Sequence, residues 1–336
     1  MKLKALVTAE VNTDVLIRTI PEIEFHTAGY NVNHVVMESD ELKNLIFDYD
    51  ILISEFETVT ADVLSNAVNL KLIVCCRGGV KSVVDLAEAS RRHITVVHNA
   101  GRNASAVSEM VMGYILDMCR NITKSNNLIH DKIITSDNRS IPAEYRDTIW
   151  GLDEKSPYVA LRGRSPRLMT LGIVGYGNVG REVAAKALAF GMNIIIYDPI
   201  DLSISTSENV KSVDFDTLLR EADVVTLHCP LTSTNNKMMS DEQFKKMKNN
   251  AYFINAARGG LVDEDALIRA LKTGEIAGAA VDVVTREPVP SYSPLLDVPN
   301  LIITPHIAGA SDEVVKKGTE MVIHKLIDFM GMDIIM

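Results

Sequence analysis

Short apolar runs alternate with stretches of helical periodicity from the first residues onward: KALVT at 4–8, a run at 22–25, YDILIS at 49–54, LKLIVCC at 70–76 and ITVVH at 94–98. Strands separated by helix-length segments, among them DVLSNAV at 62–68 and SVVDLAEASRR at 82–92, predict a parallel α/β sheet. Residues 104–120, ASAVSEMVMGYILDMCR, place apolar positions at helical spacing and predict one well-buried helix, suited to link two domains. From residue 121 to about 169 the periodicity fades among Asp, Asn, Ser, Arg and the prolines Pro142, Pro157 and Pro166, which predicts a long irregular connection. Alternation then restarts at LGIVG and continues through NIIIYD, DVVTLH, AYFINAA, IAGAAVDVV and NLIITP, a second and more regular parallel sheet.

Composition narrows the classes. A chain of 336 residues suits two α/β domains, and 47% hydrophobic with 23% charged residues is globular. No run approaches the roughly 18 apolar residues of a membrane span, so no membrane partner is expected. Lys2 and Lys4 precede an apolar run too short for a signal peptide, and the start reads as the first strand. Cys75 and Cys76 are adjacent, and Cys119 and Cys229 isolated. That is neither a disulfide framework nor metal-ligand spacing, so a reducing cytoplasm and no metal are expected. A net charge of −10 argues against nucleic acid and anionic membranes, while leaving room for a small anion held by a few converging cations.

The densest chemical signal is LGIVGYGNVGREVAAKALAFGMNIIIYDP. Gly175, Gly177 and Gly180, with Asn178 and Val179 between the last two, stand in GxGxxG spacing directly after an apolar strand and before an amphipathic helix. The first glycine permits the tight turn, the second lets a pyrophosphate approach the backbone, and the third lets helix and sheet pack closely. The helix N-terminus offers free N–H groups and a positive dipole end. Asp198 ends the next strand, where a carboxylate accepts hydrogen bonds from ribose hydroxyls. No cation follows it closely, which favours NAD over NADP.

Three later strand ends carry polar residues: FINAARGGLVDEDAL, VDVVTREP and LIITPHIAG, with candidates Arg258, Glu287 and His306. Taken singly, each has an ordinary use as a surface ion-pair partner, a loop acid or a turn-capping histidine. Together with the nucleotide turn, and with VVDLAEASRRHITVVHNAGRNASAVSEMVMGYILDMCRNI, they make the chain resemble the D-2-hydroxyacid dehydrogenase family over nearly its whole length. That family includes phosphoglycerate, glycerate and D-lactate dehydrogenases.

The resemblance implies a catalytic set of Arg258, Glu287 and His306 acting on a small anionic 2-hydroxy or 2-oxo acid. Hydride loss from a hydroxy acid requires a base for the hydroxyl proton, a role for imidazole. A neighbouring carboxylate orients that ring and stabilises its charged form. Arginine holds a carboxylate with a planar fork that lysine lacks. The resemblance further implies cofactor contacts at Asp282 (to the nicotinamide carboxamide), Ala256, Gly309, and Cys229 and Pro230 of the HCP segment, with Cys229 a packing residue. It also implies a substrate loop at Arg77, Gly78 and Gly79.

Lys81 is read as solvent-facing or as a substitute in that loop. Arg102 is read as a hinge-surface arginine or a second anion contact, and either cation would serve a phosphorylated substrate. The segment LRGRSPRLMT departs from the family pattern, and its arginines at 162, 164 and 167 are read as a solvated turn. The longer connection before it is read as a dimerisation arm.

The expected architecture is therefore α/β with two parallel-sheet domains. A Rossmann NAD-binding domain, residues 104–305, is inserted into a flavodoxin-like substrate domain formed by 1–103 and 306–336. The substrate is expected in the cleft, and a homodimer is the default for such a family. A rival reading is an NAD-sensing, corepressor-like regulator of the same fold, although no basic patch or recruiting tail supports it. Formate-type dehydrogenases carry glutamine where Glu287 stands, which argues against that activity; phosphite oxidation is a minor alternative.

Overall fold

The computed structural model describes residues 2–134, 156–200 and 210–332. Twelve strands were assigned among them: β1 Leu3–Val7, β2 Ile23–Thr27, β3 Ile51–Ser54, β4 Leu72–Cys75, β5 Thr95–His98, β6 Thr170–Val174, β7 Asn193–Tyr197, β8 Val210–Ser212, β9 Val224–Leu227, β10 Tyr252–Asn255, β11 Gly278–Val281 and β12 Leu301–Ile303. They form two sheets, each wholly parallel. The chain divides into two compact units, Met1–Asn103 with Ala310–Met336, and Ala104–Gly309.

The first unit holds a five-stranded sheet in the order β2-β1-β3-β4-β5, the flavodoxin-like order. Its strands are continuous apolar runs because both faces are covered. Leu6, Leu52, Ile73 and Cys75 face one core, while Val7, Ile51, Ile53, Val74 and Cys76 face the other. That second core includes Val322 and Leu326 of the helix Asp312–Met330, which is how the C-terminal segment completes this unit. Alternation also separates the two adjacent cysteines, and all four thiols are free.

The second unit holds a seven-stranded sheet in the order β12-β11-β10-β9-β6-β7-β8, which is the Rossmann order with one added strand. The expected fold, a Rossmann domain inserted into a flavodoxin-like one, is thus the observed fold. One face packs under the helix Ala104–Arg120, whose Val107, Val111, Ile115 and Cys119 meet Ile173, Val183, Ala184 and Ala187. Each fully buried valine or isoleucine among them contributes roughly 1.5–3 kcal/mol. Phe244 and Phe253 anchor the other face in an edge-to-face contact, with centroids 5.3 Å apart.

Several local expectations need correction. Residues 122–130, expected within an irregular connection, form a helix. Asp117 on the preceding helix makes this possible by accepting from Thr123 N at 2.7 Å and from its hydroxyl at 2.5 Å. The helix buries none of its own residues, so periodicity does not reveal it. Residues 135–155 of the connection lie outside the described residues, and so does any dimerisation arm there; Pro157–Ala160 forms a short helix. Strand β8 was not foreseen: its Lys211 and Ser212 are exposed, and only pairing with β7 makes it a strand. Among the turn arginines, Arg164 is not free in solvent but partly buried and paired. It bonds Asn250 O at 2.6 Å and Asp223 at 2.8 Å, whereas Arg162 and Arg167 are exposed. No described helix is long and apolar enough to cross a membrane.

The second crossing between units falls after Gly309, four residues beyond 305. Asp282 at the end of β11 binds the backbone N–H groups of Ile307 and Ala308, and so keeps His306 and its neighbours with the second unit.

Candidate active site

The nucleotide turn sits where the order of the seven-stranded sheet reverses, between β6 and β9. Gly175 has φ +93°, and a Cβ there would lie 2.7 Å from Cys229 N and 2.8 Å from His228 C. A Cβ at Gly180 would lie 2.2 Å from Gly175 O, so only glycine lets this turn close on its helix. Gly177, by contrast, faces open space: a Cβ there would meet nothing within 4 Å. It is the N-cap of the helix Asn178–Ala189 and provides no side-chain cap, so Asn178, Val179 and Gly180 begin the helix with N–H groups aimed outward.

This is a cradle for a diphosphate, and the residues present fit NAD. Asp198 accepts from Tyr176 N at 2.7 Å with Oδ2 and from Ile200 N at 3.0 Å with Oδ1, leaving a lone pair on each oxygen for ribose hydroxyls. No ion-pair partner of Asp198 occurs among the described residues. Cys229 and Pro230 follow β9. Burial pushes the Cys229 thiol up, which suits a packing residue and not a nucleophile.

The three reactive candidates lie at the ends of adjacent strands. His306 follows β12 and Glu287 follows β11; they meet directly, His306 Nδ1 to Glu287 Oε2 at 2.7 Å. A carboxylate only accepts, so Nδ1 carries the proton and Nε2 is the free nitrogen. The other Glu287 oxygen accepts from Val284 N at 3.0 Å, folding the acid back on its own turn. His306 stands at φ +58°, an unusual conformation for a residue with a side chain.

Arg258 follows β10 with its side chain exposed, one guanidinium nitrogen donating to Ala257 O at 2.6 Å. A Cβ on the next residue, Gly259, would lie 2.2 Å from Val284 C, so the arginine turn and the glutamate turn are backbone to backbone. Asn255, absent from the sequence-derived set, shapes this turn. Buried to 1% exposure, it accepts from Ala257 N at 3.1 Å and donates to Arg258 O at 2.9 Å, which holds Ala256 and Arg258 at the strand end. A buried asparagine closing an apolar strand was the available signal.

Asp282 is buried and already heavily engaged. Oδ1 accepts from Thr304 Oγ1 at 2.6 Å and Ile307 N at 2.9 Å, and Oδ2 from Ala308 N at 2.8 Å. One lone pair on Oδ2 is left for an outside donor. Gly309 is the last residue of this unit.

Arg77, Gly78 and Gly79 belong to the first unit, after β4. Arg77 lies over the Phe56 ring at 5.8 Å, and a Cβ on Gly78 would meet nothing within 4 Å. Lys81 is exposed with no ion-pair partner among the described residues. Arg102 fits neither expectation: its side chain is only 14% exposed and is bound to buried Glu55. No cluster of His, Cys, Asp or Glu suited to a metal was found among the described residues.

A Rossmann dinucleotide turn joined to a histidine–carboxylate pair and an arginine at neighbouring strand ends defines a nicotinamide-dependent dehydrogenase. Residues 112–308 match the family model described as D-isomer specific 2-hydroxyacid dehydrogenase, NAD binding domain. The chain is 35% identical over 290 residues to a hydroxypyruvate reductase of Thermotoga maritima, covering 85% of this chain and 87% of that one. It is 36% identical over 294 residues to a glyoxylate reductase of Thermofilum pendens, covering 86% and 80%. The crystal structure of a D-lactate dehydrogenase with NAD+ from Lactobacillus jensenii superimposes with a TM-score of 0.76 at 25% identity, covering 98% of each chain. The chain belongs to the D-isomer specific 2-hydroxyacid dehydrogenase family, and it is an NAD-dependent oxidoreductase.

Proposed function

We propose that the chain reduces a small, unphosphorylated 2-oxo acid to its D-2-hydroxy acid, with His306 moving the proton, Glu287 charging and orienting it, and Arg258 holding the acid. The observation that carries this reading is the 2.7 Å bond between His306 Nδ1 and Glu287, because it commits Nδ1 and leaves Nε2 for the substrate oxygen. Bound nicotinamide supplies or accepts the hydride. In reduction, imidazolium Nε2 donates to the oxygen as it gains charge; in oxidation, neutral Nε2 takes the hydroxyl proton. Glu287 stabilises the charged ring in either direction. The Arg258 fork binds the carboxylate and polarises the oxo group.

Gly175, Gly177, Asn178, Val179 and Gly180 hold the diphosphate in this proposal, and Asp198 holds the adenosine ribose. Cys229, Pro230, Ala256, Asp282 and Gly309 line the remaining cofactor. On the first unit, Arg77, Gly78 and Gly79 are assigned to the substrate carboxylate. Two facts favour an unphosphorylated acid. Glu55 engages Arg102, one of the two cations considered for a phosphate, and the relatives above are named for hydroxypyruvate and glyoxylate. The four free thiols favour a reducing cytoplasm, and a homodimer is the assembly to test by light scattering.

The deciding experiment follows NADH oxidation with a panel of 2-oxo acids, phosphorylated and not, with NADPH in parallel. Stereospecific reduction of one unphosphorylated acid to its D-product is expected. Preference for a phosphorylated acid overturns the substrate assignment, and tight NADH binding with no turnover across the panel would instead indicate nucleotide sensing.

A further inference from the structure

We propose that Tyr114 and Thr304 are positioning residues that hold the His306 segment in place through Asp282. The proposal rests on the reading of His306 as the proton-transfer group. Tyr114 lies on the helix Ala104–Arg120, 190 positions from Thr304 in sequence, and its hydroxyl is 2.5 Å from Thr304 Oγ1. Thr304 Oγ1 in turn is 2.6 Å from Asp282 Oδ1.

The direction of both bonds follows from the chemistry. A carboxylate only accepts, so Thr304 spends its single proton on Asp282, and Tyr114 must donate to Thr304. Burial pushes the Tyr114 phenol up to about 12, ahead of the opposing effect of the Thr304 bond, so it remains a donor across the working range of pH. Such a chain of donors polarises along its length and fixes the carboxylate at its end.

What Asp282 does with that fixed position is specific to the active segment. Its two oxygens accept from Ile307 N and Ala308 N, and its own backbone oxygen accepts from His306 N at 2.9 Å. Three consecutive residues, His306 among them at φ +58°, are thereby held on one aspartate. A left-handed histidine persists only where its surroundings over-determine it. A tyrosine that served only as packing would leave a buried hydroxyl to be desolvated, where phenylalanine fills the same space without that cost.

The test uses the full chain as Tyr114→Phe, Thr304→Val, Thr304→Ser and His306→Gln. Turnover of hydroxypyruvate and glyoxylate with NADH is measured beside the imidazole 15N signals, with that of His306 identified as the one lost in His306→Gln. The expectation is a fall in kcat of about fivefold for Tyr114→Phe and about tenfold or more for Thr304→Val, since small misplacements of a reacting group are costly. The His306 Nδ1 signal should shift, and Thr304→Ser should recover most of the rate. If neither acid is reduced, the His306 signal decides alone. An unshifted signal with wild-type kcat in Tyr114→Phe overturns the proposal, as does equal loss in the valine and serine variants. Wild-type turnover in His306→Gln overturns the proton-transfer reading itself, while the resonance still reports whether the hold exists.

Discussion

Each unit carries a cation–carboxylate pair, and the two pairs do opposite things. His306 and Glu287 of the second unit keep 53% and 37% of their side chains exposed, whereas Arg102 and Glu55 of the first keep 14% and 3%. An exposed pair contributes about 0–1 kcal/mol to stability, so its geometry is free to serve chemistry. A buried pair is expensive to desolvate, and removing one partner strands the other, at a cost of about 3–5 kcal/mol. Glu55 shows that expense: burial pushes its carboxyl up, and Arg102 and the Glu10 N–H offset this only partly. The same kind of contact is thus exposed and open to the proposed proton transfer in one unit, and buried architecture in the other.

His306→Gln should break the comparison on its catalytic side most sharply. It is expected to lower kcat by about 10²–10⁴-fold, the usual worth of a general acid–base group, with NADH binding and melting temperature nearly unchanged. Steady-state kinetics beside a fluorescence titration checks this, and comparable turnover in the variant would remove the proton-transfer role. On the architectural side, Arg102→Met is expected to destabilise the chain by about 3–5 kcal/mol, read from the urea midpoint, because it strands the buried Glu55 carboxylate. The double change with Glu55→Gln should recover much of that loss; no recovery would show that the pair is not the cause.

Glu287→Gln is expected to lower kcat about 10–100-fold while leaving urea stability within about 1 kcal/mol, because the lost pair is exposed. A large stability loss would blur the distinction between the units.

The smallest effect is the response to acid. Glu55 has a folded-state pKa above its ordinary 4.5, so its contribution is fully favourable below that value and is lost as pH rises through the folded one. Asp223 of the second unit behaves oppositely. Burial pulls its carboxyl upward, yet the Thr170 N–H, Arg164 and Lys248 hold it below 3.8. Its contribution is present above 3.8 and is lost as pH falls through the depressed value. Urea midpoints at pH 7, 5 and 3.5 should therefore show wild type gaining on Glu55→Gln as the pH falls towards 4.5. The advantage of wild type over Asp223→Asn should hold to pH 5 and fade at 3.5.

Much of the molecule was legible in the chain because the deciding interactions are local or periodic. Alternating apolar runs specify two parallel sheets, since strands covered on both faces must be apolar throughout. GxGxxG between strand and helix specifies the diphosphate turn because only glycine tolerates φ +93° at Gly175 and the approach at Gly180. Arg258, Glu287 and His306 were visible as polar residues ending apolar strands.

Tertiary structure alone decided the partners. Arg102 meets a carboxylate 47 residues away, Arg164 one 59 away and Tyr114 a threonine 190 away. No periodicity encodes such pairings, because side chains far apart in sequence meet only after the sheets have packed. For the same reason Tyr114 reads in sequence as one more apolar position of a buried helix, and Asp282 as a strand-end acid whose resemblance-implied cofactor contact says nothing of the His306 segment. Their hydroxyl and carboxylate acquire a task only when the strand ends bring the His306 segment within reach of both.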